Sequence, residues 1–210
     1  MQNLPALLGL VAALSAGVVS PGPSFVMVAR TAVATSREDG VAAALGMGAG
    51  GMLFATAAVL GLNALLLAVP VVYLALKVAG GLYLAYLGLR IWKSAYRPLA
   101  ISGMAVGTGK NTRKSLMLGL STQISNPKTA IVYASVFAVF LPAHPSLMFN
   151  VILVVIVFVI ESSWYALVAL ALASERPRNA YLRYKAWLDR VAGGVMMALG
   201  LELVSSAYRA

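Results

Sequence analysis

The sequence predicts an all-α integral membrane protein whose six transmembrane helices form two inverted three-helix repeats. Three observations predict it. The 210 residues are 61% hydrophobic and 10% charged, against about 25% charge in a soluble domain, so the chain cannot cover its surface with polar groups. The apolar residues come in long unbroken runs, unlike the roughly ten-residue alternating segments of an outer-membrane barrel. Two stretches also repeat: VAGGLYLAYLGLRIWKSAYR from Val78 and VAGGVMMALGLELVSSAYRA from Val191 share VAGG, LGL and SAYR in order.

A spanning helix needs about 20 mainly apolar residues. The first span runs from about Leu4 to Ala29. It lacks a basic leader and stays apolar through Phe25 and Val28, so it reads as a retained helix that directs insertion. A loop with Arg30, Arg37, Glu38, Asp39 and Gly40 follows. No charge occurs from Val41 to Leu76; that is too long for one helix, and Pro70 offers the break. The second span is therefore about Val41 to Ala68 and the third about Val71 to Trp92. A polar loop covers about 93–114. The fourth span is about Ser115 to Phe140, and the turn LPAHPS joins it to the fifth, about Leu147 to Ala173. The charged stretch SERPRNAYLRYKAWLDR reads as amphipathic, and the sixth span is about Val191 to Tyr208.

The chain is thus one transmembrane domain over 1–210, with repeat one at about 1–97 and repeat two at about 115–210. Three spans per half is odd, so the second half enters the membrane from the opposite side, a recurrent architecture of secondary transporters. The basic residues fall at one set of helix ends: Arg30, Arg37, Arg90, Lys93, Arg97, Lys110, Arg113, Lys114, Arg176, Arg178, Arg183, Lys185 and Arg190. The positive-inside rule puts that end in the cytoplasm and both termini outside. The net charge of +10 is therefore a topology signal, and no nucleic-acid partner is expected.

Two interruptions carry the functional reading. Ser20-Pro21-Gly22-Pro23 breaks the first span, and Asn126-Pro127-Lys128 breaks the fourth at a corresponding place. Proline removes a backbone donor and clashes with the preceding turn, and in hydrocarbon the freed groups need partners. One such break is an ordinary kink; two at matching positions of two repeats mark a substrate pathway. Lys128 lies near the centre of its span, where a charge costs at least about 2.5–3.5 kcal/mol, and needs a partner inside the protein. Glu161, central in the neighbouring fifth span, is the candidate for an ion pair or for proton coupling. Lys77 snorkels, Asn63 and Glu202 sit near helix ends, and GMGAGG from Gly46 serves close packing.

There is no cysteine and a single histidine, His144, so neither a metal site nor a cofactor is expected. An intramembrane enzyme using Ser20 or Ser24 as nucleophile lacks a histidine in the membrane and any H-E-x-x-H or G-x-S-x-G motif. A channel or small-ion carrier would want rings of like charge or carbonyl filters; an inverted pair of breaks suits alternating access instead.

SPGP in the first span, the charged turn with Gly40, the glycine-rich second span, YLAYLGLRIWKSA and GLSTQISNPKTA together resemble the LysE/RhtB family of bacterial amino-acid exporters. The likeness covers nearly the whole chain. It implies a six-helix carrier of the bacterial inner membrane that expels amino acids or related small metabolites, driven by the proton gradient. Ser20, Pro21, Gly22, Pro23, Asn126, Pro127 and Lys128 are the positions carried over from its motifs; Glu161 comes from the burial argument. An amino acid is a zwitterion: Lys128 and free N–H groups after the breaks can meet its carboxylate, and Glu161 or exposed carbonyls its ammonium. One buried glutamate favours neutral over cationic substrates. The expected partners are that substrate, protons and the lipid bilayer; a homodimer is left open.

Overall fold

The computed structural model describes residues 4–20, 22–68, 70–97, 110–142 and 145–207. Within them the chain forms eight α-helices: α1 Leu4–Val19, α2 Pro23–Ala34, α3 Arg37–Ala68, α4 Pro70–Ser94, α5 Thr112–Ile124, α6 Pro127–Phe140, α7 Leu147–Leu172 and α8 Glu175–Ala207. The described residues contain no strand. His144 lies outside them.

Prolines set several of these boundaries. Pro70 opens α4, Pro23 opens α2 and Pro127 opens α6, the first helical position at which a missing N–H costs nothing. The first expected span is therefore two helices, α1 and α2, bent by 57°. The fourth is likewise α5 and α6. The amphipathic segment expected before the sixth span is instead the first half of one 33-residue helix, α8. No proline or glycine between Arg178 and Ala192 interrupts it, and Pro177 falls in its first turn, where proline is tolerated.

Two described stretches, Arg37–Gly61 and Leu147–Leu172, are each long and apolar enough to cross a membrane, and the bent α1–α2 pair makes a third.

The halves of the broken helices pair crosswise. α1 packs on α6 and α2 packs on α5, with no α1–α5 or α2–α6 packing among the described residues. α3 lies against α5 and α7, and α4 lies along α8. Glycines let these pairs approach. A Cβ on Gly88 would fall 2.5 Å from the Gly193 carbonyl oxygen, and one on Gly200 would fall 2.5 Å from that of Gly81. The contacts are reciprocal: each helix offers its VAGG glycine to the LGL glycine of the other. Between α3 and α5, a Cβ on Gly46 or Gly119 would collide with the opposing backbone.

Two apolar clusters fill the bundle. One joins Leu10, Leu14, Leu84, Val132, Phe137, Leu153 and Met196. The other joins Phe25, Val28, Met47, Val168 and Leu172 nearer the basic end. Between them, where both broken helices are interrupted, lies a polar layer.

Candidate functional site

The two breaks are one device used twice. Gly22 is the N-cap of α2, in extended conformation, with Pro23 following. Asn126 is the N-cap of α6, with Pro127 following. Its Oδ1 accepts from the Lys128 backbone N–H at 3.0 Å, the usual cap bond. Asn126 and Pro127 thus start a new helix rather than bending one. Both new N-termini lie at the crossing, and each brings the partial positive charge and free N–H groups of a helix start.

Side chains tie the crossing together. Asn126 Nδ2 donates to Ser24 Oγ at 2.8 Å, and Ser24 donates to Gln123 Oε1 at 2.8 Å. Lys128 Nζ donates to the Ser20 carbonyl at 2.8 Å. That carbonyl is among those freed by the first break, so the lysine satisfies an acceptor that hydrocarbon would leave unpaired. Gly22 makes room: a Cβ there would sit 3.4 Å from Lys128 Cδ.

A cavity of about 20 Å³ opens at this point. Its polar wall includes Ser20, Ser24, Asn126, Lys128, Glu161 and Tyr165, and its apolar wall Leu14, Val18 and Val132. That volume holds about one water, so an amino acid does not fit the cavity in this conformation. Glu161 is 2% exposed. Tyr133 donates to its Oε1 at 2.9 Å, while Oε2 makes no hydrogen bond of good geometry, with the Gln123 side chain beside the carboxylate. Ser20 Oγ is also buried without a partner. Gly51 of α3 admits the pair, since a Cβ there would lie 2.9 Å from Tyr133 Oη and 3.0 Å from Glu161 Cγ.

Lys128 and Glu161 share this cavity but form no ion pair with each other among the described residues: each charge takes another partner. An ammonium on a carbonyl and a carboxylate with one free oxygen leave a charge-complementary gap. Of the expected site residues, Ser20, Gly22, Asn126, Lys128 and Glu161 line the cavity. Pro23 and Pro127 act through the backbone, as helix starts. Pro21 lies outside the described residues.

Gln123, Thr129, Tyr133 and Tyr165 were missed as site residues, and Ser24 was weighed only as a nucleophile. A signal existed: Tyr165 is four residues after Glu161, and Thr129 and Tyr133 are four apart, so they share helix faces. Among the described residues no group of acidic or histidine side chains could hold a metal.

The chain matches the family model of the LysE type translocator over residues 15–207. It is 32% identical over 191 residues to the threonine efflux protein of Escherichia coli (strain K12), covering 90% of this chain and 92% of that one. A leucine efflux protein of Enterobacter sp. (strain 638) is 31% identical over 126 residues, 59% of this chain and 58% of that one. An uncharacterized membrane protein of Haemophilus influenzae is 29% identical over 191 residues, 90% of each chain. No solved structure matches.

Proposed function

The chain belongs to the LysE type translocator family, and from that membership we propose that it is a secondary exporter of small neutral amino acids, driven by the proton gradient. The observation that carries this reading is the cavity between the two broken helices, with Lys128 on one side and the free Glu161 oxygen on the other. The substrate carboxylate takes Lys128 and the N–H groups at the starts of α2 and α6; its ammonium takes Glu161 Oε2. The side chain then faces Leu14, Val18 and Val132, a wall that offers a second cation nothing. The relatives' names, threonine and leucine efflux, favour the same class.

Glu161 is the proposed proton carrier. A buried carboxylate with an unpaired oxygen is costly, so it is held either as the acid or against a cation. Proton and substrate ammonium therefore compete for one group, which is the condition for antiport. The crosswise pairing of α1 with α6 and α2 with α5, and the reciprocal glycine contacts of α4 and α8, support six spans in two inverted repeats. The basic helix ends support a cytoplasmic basic face and outward termini.

The test is efflux from bacterial cells preloaded with a panel of labelled amino acids, with and without this protein. Faster loss of neutral amino acids that stops when the proton gradient is collapsed is expected. Equal efflux of every substrate with and without the protein overturns the reading.

A further inference from the structure

The Phe25 and Tyr181 rings stack with centroids 5.0 Å apart and planes 24° from parallel. Phe25 is buried in the first turn of α2, beside the cavity-lining Ser24. Tyr181 comes from the charged first half of α8, on the basic side of the break. Its hydroxyl is buried with no hydrogen-bond partner.

That half of α8 is anchored to the end of α4. Lys185 donates to Asp189 Oδ2 at 2.7 Å and to the Ala95 carbonyl at 3.0 Å, and both side chains are buried. The Arg190 guanidinium rests over the Tyr96 ring at 4.7 Å and the Trp92 ring at 5.9 Å. From this anchor Tyr181 reaches across to α2.

Most buried aromatic pairs are core packing, and two features set this one apart. A buried ion pair rarely adds stability over apolar packing, yet one sits a turn away. The stack lies beside the narrow polar cavity, next to its lining residue Ser24 and toward the basic end of the bundle, on a half-helix that a break has freed from α1.

We infer that Tyr181 closes the path between the basic end and the cavity, stacked on Phe25 when shut and parted from it when substrate enters. The direction of use rests on the exporter reading; the closure itself does not.

The chain has no cysteine, so a single Ser20→Cys variant reports on the cavity alone. Its labelling by a charged, membrane-impermeant methanethiosulfonate is followed from each side of oriented vesicles. Slow labelling is expected in the parent. Tyr181→Ala raises the rate at least tenfold from the side of the Arg37 end of α3, while Tyr181→Phe, which keeps the stack, leaves it unchanged. Should the alanine variant not accumulate, Phe25→Ala makes the same comparison. An unchanged rate, equal acceleration in the phenylalanine variant, or acceleration from the opposite side overturns the inference. Accelerated labelling with no amino-acid flux would leave the closure standing and remove the exporter reading.

Discussion

Lys128 reaches from the first turn of α6 to the Ser20 carbonyl at the end of α1, 2.8 Å away, and so closes one broken helix on the other. The bond joins the two broken helices at the point where each is interrupted. On the proposed reading, a substrate carboxylate arriving there competes for the same ammonium, so binding and release of the crossing are one event.

Lys128→Met keeps the stem and removes the charge. Hydrogen bonds to charged groups are worth about 1.5–3 kcal/mol, so export falls by about 10- to 100-fold at unchanged protein level. Initial efflux rates normalised to membrane-inserted protein check it.

Tyr133→Phe removes the donor to Glu161 Oε1 and leaves both carboxylate oxygens free. The ring still packs against Phe137 and Phe54, so the fold is kept. Export drops several-fold and its dependence on external pH changes, while Tyr133→Phe in a Glu161→Gln background adds nothing further. A double-mutant cycle on efflux rate measures the coupling.

Asn126→Ala loses the α6 cap and the bond to Ser24. A cap is worth about 1 kcal/mol, and the lost buried bond to Ser24 Oγ adds to it. The melting temperature in detergent falls by several degrees and export falls with it; Asn126→Asp, which keeps the capping oxygen, recovers most of the stability and little of the export.

Gly88→Val and Gly200→Val each force a side chain into the opposing backbone, where even a Cβ would lie 2.5 Å away. Overpacking costs about 1–3 kcal/mol, and rigid backbone partners put both at the upper end. Both variants lose thermal stability by similar amounts, as the reciprocal contact requires. Gly61→Val, where nothing lies within 4 Å of the Cβ position, is the neutral control.

Much of this was legible in the sequence. The proline-bearing breaks, the matching VAGG and LGL segments, Lys128 and Glu161 are chemical anomalies in an apolar chain; in the structure the breaks start new helices, the glycine segments pack on each other, and both charges line one cavity. What was not legible is partner choice. Lys128 and Glu161 read as a pair because their depths match, but whether two groups at one depth touch depends on rotation about the helix axes. The Ser20 carbonyl is invisible to a reading of side chains, and Tyr133 looks like one more aromatic in a hydrophobic helix. The continuity of α8 was lost for another reason: its charged first half looks like an interfacial segment, and composition alone does not reveal that Lys185 and Asp189 are buried.

The central claim is that this cavity moves amino acids against protons through Glu161. Its most direct measurement uses purified protein in liposomes loaded with labelled threonine or leucine, with a proton gradient imposed, comparing the parent chain with Glu161→Gln. The account predicts gradient-driven flux in the parent and, in the variant, no response to the gradient. Undiminished gradient-driven flux in Glu161→Gln would contradict it.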